Sequence, residues 1–139
     1  MTLKLLIVDE SELVRASLVR LFSQLQGIAS IAVAATLEQA LACARRESPA
    51  LIIMDLHLPD SQGTQGIIRL AQVHPAARIA VLCATPNAYR MRKCLECGAD
   101  WFFDKAGECD QLLEIVRRQV ALSAPRAVGN PTEVNHYVT

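Results

Sequence analysis

The sequence predicts an α/β fold in which five parallel strands alternate with five helices. Short apolar runs bounded by turn residues recur along the chain, as is typical of strands buried on both faces. A segment with the apolar period of an amphipathic helix follows each run. Acidic or basic residues end three of the runs. This alternation favours a doubly wound parallel sheet that is covered by helices on both faces.

In the first half of the chain, turn and cap residues separate the elements. Gly27 is the type of residue that ends a helix, and Thr36 with Gln39 matches a capping box. Pro49 separates the second helix from the apolar run that follows it. We therefore predict strands at 4–8, 28–35 and 51–54, and helices at 11–25 and 36–46.

The second half repeats the pattern. The third helix starts near Gly63 and Gly66 and ends before Pro75, and Gly98 closes the fourth helix. We predict the last two strands at 78–83 and 101–104, and the last two helices at 88–97 and 109–123. The first 123 residues then form one domain, and residues 124–139 are a flexible tail or the start of a linker, because they lack periodicity and contain two prolines.

Composition excludes several classes of function. The chain has 139 residues with 52% hydrophobic side chains, which suits one globular domain. Fourteen basic and fourteen acidic residues cancel, so direct nucleic-acid binding is not expected. No apolar stretch approaches the ~20 residues of a membrane span, and no signal peptide is visible. We expect a cytoplasmic protein that does not act at a membrane.

Five cysteines, an odd number, favour reduced thiols in a chain without a secretion signal. Cys94 and Cys97 form a CxxC pattern that is compatible with half a zinc site or a redox pair. No second pair of ligands lies nearby at a suitable spacing. We therefore interpret these two cysteines as small residues on one helix.

Charged residues at three strand ends indicate a functional site. Asp9 and Glu10 follow the first strand, Asp55 follows the third, and Lys105 follows the fifth. The carboxyl ends of parallel strands share one edge of a sheet, which is where ligands bind in such folds. Clustered carboxylates repel each other unless a cation intervenes. These residues therefore predict a site for a divalent cation and a phosphoryl group.

These residues resemble the receiver domain of bacterial two-component response regulators. The resemblance covers roughly residues 3 to 122, and it rests on Asp9-Glu10, the segment 55–59 with Gly63, Gly98-Ala99 and Lys105. It implies the strand order 2-1-3-4-5 and a sensor histidine kinase as partner, and it allows a homodimer. It is closest to the subclass that carries a LuxR-type helix-turn-helix output. Transcription regulation through nucleic acid would then need an output domain that this chain lacks.

The resemblance also implies roles for the acidic residues. Asp55 would accept the phosphoryl group, with Lys105 neutralising its charge. Mg²⁺ would bind Glu10, Asp55 and the backbone carbonyl of His57 directly, and Asp9 through a water molecule. Glu10 is one methylene longer than the usual aspartate. Enzymatic activity would be limited to self-phosphotransfer and slow hydrolysis of the aspartyl phosphate.

The switch residues of the family depart from its usual pattern. Counting without gaps places Cys83 where the family has a Ser or Thr that bonds the phosphoryl group, and Thr85 lies two positions later. Phe102 stands at the position of the switch aromatic residue. A thiol is a weak donor. We favour Cys83 at this position and keep Thr85 as the alternative.

Three functions can be considered for a chain with these residues. The first is a phosphorylation-dependent signalling switch. The second is a pseudo-receiver, a protein-binding module that does not switch normally because of Cys83. The third is a flavodoxin-like redox protein, which the acidic segment after the first strand disfavours because it would repel a cofactor phosphate.

Overall fold

The structure, a computed structural model, describes residues 3–123 and contains one five-stranded sheet. Its strand order is β2-β1-β3-β4-β5, and every neighbouring pair is parallel. The strand order and the fold class predicted from the sequence are confirmed. The strands are β1 (Leu3–Val8), β2 (Ile28–Ala34), β3 (Leu51–Asp55), β4 (Arg78–Cys83) and β5 (Trp101–Asp104).

Five helices connect and follow the strands, as the sequence predicts. They are α1 (Glu12–Ser23), α2 (Leu37–Glu47), α3 (Gln65–Val73), α4 (Ala88–Glu96) and α5 (Cys109–Ser123). Boundaries agree with the predictions to within about two residues. The largest difference is at the end of α1, which has its C-cap at Gln24. The predicted tail at 124–139 lies outside the described residues.

Gly27, which the sequence suggested as the residue that ends α1, has a different role. It lies beyond the end of α1 and has a φ of +92°, a conformation that glycine adopts without steric cost. A side-chain carbon at this position would also overlap Val120 of α5. Gly27 therefore serves the turn into β2 rather than the helix end itself.

Two hydrophobic cores lie on opposite faces of the sheet. Along β1, Leu5 and Ile7 pack with α1 and α5, while Leu6 and Val8 pack with α2, α3 and α4. Strand residues alternate between faces, so an entirely apolar strand must be covered on both sides. Each fully buried Leu or Ile contributes about 1.5–3 kcal/mol. The two cores hold the strand ends in fixed register, and those ends carry the predicted site.

The peptide bond between Lys105 and Ala106 is trans, as are all others within residues 3–123. Within the same described range, no helix combines the length and the apolar character needed to cross a bilayer.

Candidate functional site

Three charged side chains meet at the carboxyl edge of the sheet. Asp9 directly follows β1, Asp55 ends β3 and Lys105 directly follows β5. The Nζ atom of Lys105 lies 2.8 Å from Asp9 Oδ2 and 2.8 Å from Asp55 Oδ2. One ammonium group therefore bridges two carboxylates that lie 46 positions apart in sequence (55 − 9 = 46).

Backbone hydrogen bonds fix this arrangement. The N–H of Asp9 donates to the carbonyl of Ala34 at 3.0 Å, and the N–H of Lys105 donates to the carbonyl of Cys83 at 2.9 Å. Both bonds continue the strand pairing one residue beyond the strand ends. The backbone positions of Asp9 and Lys105 are therefore fixed by the hydrogen bonding of the sheet.

Each carboxylate has one oxygen bound to a backbone N–H group. Asp9 Oδ1 accepts from the N–H of Ser11 at 2.8 Å, and Asp55 Oδ1 accepts from the N–H of His57 at 3.1 Å. The other oxygen of each carboxylate faces Lys105. This orientation directs Oδ2 of both residues toward the ammonium group of Lys105.

The two carboxylates of the site are buried, which makes their charge energetically costly. Asp9 is 2% exposed and Asp55 is 7% exposed, and a buried charge is costly unless it is paired. Two carboxylates and one ammonium leave one negative charge uncompensated. Burial lowers the pKa of Lys105, but the hydrogen bond to Asp55 and the nearby Asp9 outweigh it, so the pKa is raised overall. Lys105 is therefore a firmly protonated cation.

The contact between Lys105 and Asp9 is an ion pair without hydrogen-bond geometry, which leaves Asp9 Oδ2 buried and without a hydrogen-bond partner. An orphaned carboxylate oxygen beside a second carboxylate is the type of donor set that a hard divalent cation prefers. The residues at this edge thus fit a cation such as Mg²⁺.

Glu10 lies differently from the other two acids. Its side chain is exposed, and Arg15 Nη1 donates to the backbone carbonyls of Asp9 at 2.7 Å and Glu10 at 3.1 Å. Within residues 3–123, no three His, Cys, Asp or Glu side chains are grouped closely enough to hold a metal ion. The structure therefore brings Asp9 and Asp55 together and leaves the side chains of Glu10 and His57 at the surface.

The predicted switch residues lie at the end of β4 and on β5. Cys83 is fully buried in the core on the α2 to α4 side, and Phe102 is half-buried against the same core. Thr85 is exposed, and its carbonyl accepts a 2.9 Å hydrogen bond from Arg90 Nη1. Cys83 thus occupies the strand end itself, while Thr85 belongs to the loop that leads to α4.

One polar residue of this region is not singled out by any pattern in the sequence. Asp60, in the loop after β3, accepts hydrogen bonds from the backbone N–H groups of Leu37 at 2.7 Å and Glu38 at 3.1 Å. The bond from Leu37 is the main cause of a lowered pKa at Asp60. The carboxylate thereby fastens the loop after Asp55 to the start of α2. No local pattern signals a cap that is supplied from more than twenty positions away.

The family model for the response regulator receiver domain matches residues 5–117 of this chain. The chain belongs to that family. It is 34% identical over 125 residues to a protein-glutamate methylesterase/protein-glutamine glutaminase 2 of Anaeromyxobacter dehalogenans, covering 88% of this chain and 36% of that protein. The chain spans about a third to about half of the length of the curated relatives that it matches.

Solved structures agree with the family. A LuxR-family two-component response regulator from Aurantimonas sp. SI85-9A1 superposes with a TM-score of 0.79 at 25% identity, covering 97% of this chain and 96% of that one. A response regulator from Burkholderia pseudomallei was solved with a phosphorylated aspartic acid, a calcium ion and citrate. It superposes with a TM-score of 0.71 at 26% identity, covering 91% of this chain and 77% of that one.

Proposed function

We propose that this receiver domain is a phosphorylation-dependent signalling switch whose phosphoacceptor is Asp55. The observation that carries the proposal is the Oδ2 atom of Asp55, which is held at the carboxyl edge of the sheet, 2.8 Å from a protonated lysine. A carboxylate in this position is oriented for attack on phosphorus and has a cation beside it.

The reaction is a phosphoryl transfer. An oxygen of Asp55 attacks phosphorus in line with the bond to the donor, that bond breaks, and its electron pair leaves with the donor group. The product is an aspartyl phosphate. Lys105 is close enough to pair with the incoming phosphoryl oxygens, and its point charge offsets the negative charge that they bring. Slow hydrolysis of the acyl phosphate would return Asp55 to its free form.

Asp9, Asp55, Glu10 and the carbonyl of His57 would hold Mg²⁺. When bound, Mg²⁺ supplies charge neutralisation to the carboxylates and the phosphoryl oxygens. The buried Asp9 Oδ2, which has no hydrogen-bond partner, supports this assignment. The Burkholderia relative, which was solved with a phosphorylated aspartic acid and a calcium ion, supports it as well. Glu10 must turn inward to take part, because its side chain is exposed.

The proposed partner is a sensor histidine kinase, whose phosphohistidine would be the donor. The similarity to a LuxR-family regulator supports a further output domain that regulates transcription through nucleic acid. A homodimer and a cytoplasmic location remain predictions from the sequence.

Cys83 supports a second candidate function. A buried thiol in place of a hydroxyl would report the phosphoryl group weakly. The domain would then be a pseudo-receiver, which is phosphorylated without the usual change in partner affinity.

Intact-mass analysis tests the proposed acceptor. After incubation with acetyl phosphate and Mg²⁺, we expect one added phosphoryl group on the wild type and none on Asp55→Asn. Chelation of Mg²⁺ should abolish the label on the wild type. Equal labelling of both proteins would refute Asp55 as the acceptor.

A further inference from the structure

A cavity of about 380 Å³ lies between α4 and the loop after β3. Its apolar floor contains Leu56 and Cys94, which are buried, and Cys97, which is half-buried. The cavity is called the α4 pocket below. The proposed phosphotransfer uses none of these three side chains.

The charged side chains at the pocket are all basic. Arg90 and Lys93 line it, His57 adds an imidazole ring, and no Asp or Glu is among the lining residues. Glu96 lies 3.8 Å from Lys93, but both side chains are about half exposed, so the pair is screened by water and weak. The rim thus keeps a net positive charge.

Hydrogen-bond donors at the rim also suit an anion. Arg90 uses Nη1 for the carbonyl of Thr85, and a guanidinium has further N–H groups to offer. Arg90 and Lys93 are three positions apart on α4, so they lie on one face of the helix. Tyr89 and Thr64 bring hydroxyl groups to the same rim.

We propose that the α4 pocket binds a small organic anion. Ligand sites of this volume are mostly apolar, with a few polar groups that fix the orientation of the ligand. An apolar body of about two rings would cover the floor formed by Leu56, Cys94 and Cys97. A carboxylate, sulfonate or phosphate would face Lys93 and Arg90.

The position of the pocket gives such a ligand a route to the proposed switch. Leu56 and His57 directly follow Asp55, and Arg90 holds the loop that contains Thr85. Binding itself does not depend on phosphorylation of Asp55. The pocket and the proposed function can therefore fail separately.

The test uses the full chain and a matched pair of probes. 1-Anilinonaphthalene-8-sulfonate has a fused aromatic body and an anionic group, and N-phenyl-1-naphthylamine has the same body without the charge. We expect saturable binding of the sulfonate, measured by fluorescence, with amide shift changes at residues 56–64 and 89–97. The uncharged analogue should bind about five-fold more weakly or worse.

Two substitutions on one helix provide the control. Lys93→Gln should weaken binding of the sulfonate probe about five-fold, and Arg92→Gln should leave this affinity unchanged. Arg92 is exposed and does not line the pocket, yet its guanidinium lies 5.8 Å from the Tyr89 ring centroid, the same distance as Lys93 Nζ. Both variants therefore lose one charge and one ring contact. Cys97→Trp, which fills the pocket, should abolish binding while the amide spectrum shows an intact fold.

Several outcomes would overturn the proposal. Equal weakening by Lys93→Gln and Arg92→Gln would show attraction to the helix as a whole rather than to a pocket. Shift changes around Leu13 and Leu112 would place the probe in the groove between α1 and α5. Equal affinity for both probes would remove the role of the anion, and binding that does not saturate would remove the site.

Discussion

The ends of β1, β3 and β5 hold their polar side chains more tightly than the end of β4 and its loop do. Asp9, Asp55 and Lys105 are joined by two 2.8 Å contacts. At β4, Cys83 presents a buried thiol, and Thr85 is exposed in the following loop. The first group is the acceptor region of the proposed switch, and the second is its reporting region.

This difference separates two tasks. Accepting a phosphoryl group requires an oriented carboxylate and a cation beside it, and the acceptor region has both. Reporting it requires a strong, short hydrogen-bond donor near the new oxygens, and a thiol is a poor one. The comparison predicts a domain in which phosphorylation is intact while the conformational response is limited at Cys83.

The largest expected effect comes from breaking the acceptor region. Lys105→Met leaves two buried carboxylates without a counter-charge, so the free energy of unfolding should fall by about 1–3 kcal/mol, with the partial exposure of Lys105 taken into account. Added Mg²⁺ should restore part of the loss, because it binds the folded state. Urea denaturation with and without Mg²⁺ measures both effects.

Lys93→Met is the matched control for that substitution. The partners of Lys93 are both exposed: Glu96 at 3.8 Å and the Tyr89 ring, whose centroid lies 5.8 Å away. The loss should therefore be about 0.5 kcal/mol or less and independent of Mg²⁺. Equal losses in the two variants would contradict a special role for the bridge formed by Lys105.

The acids of the proposed metal site should contribute unequally. Asp9→Asn should weaken Mg²⁺ binding about ten-fold, and Glu10→Gln about three-fold, because Glu10 starts from an exposed position. Calorimetric titration measures these affinities. Glu12→Gln, which removes an exposed acid from the first turn of α1, is the control. An unchanged affinity in Glu10→Gln would remove Glu10 from the site.

The smallest effect concerns the loop after β3, which follows the acceptor residue Asp55. Hydrogen bonds from α2, chiefly that from Leu37, lower the pKa of Asp60 in the folded protein. Its charge therefore stabilises the fold above the ordinary aspartate pKa of about 3.9, and this contribution is lost as pH falls through the lowered value. Asp60→Asn should lower the Tm by roughly 1–2 °C at neutral pH, with no difference at low pH. Melting curves with the same offset at every pH would contradict this.

The sequence predicts the sheet well because β1, β3 and β4 are apolar runs, which are buried on both faces. It also predicts that Asp9, Asp55 and Lys105 share one edge, because parallel strands end together. It does not predict the exposed side chain of Glu10, since the two acids after β1 are equivalent as a pattern. The cap from Asp60 is likewise hidden, because it depends on packing between distant segments.

Cys83 limits the conformational response to phosphorylation if the comparison holds, and amide shift changes across residues 83–104 on addition of beryllofluoride test this most directly. We expect small changes in the wild type and larger ones, extending to Phe102, in Cys83→Thr. The threonine methyl group replaces the sulfur at a packing cost of about 1 kcal/mol. Large changes in the wild type that persist unaltered in Cys83→Thr and disappear in Thr85→Ala would contradict the claim and identify Thr85 as the donor.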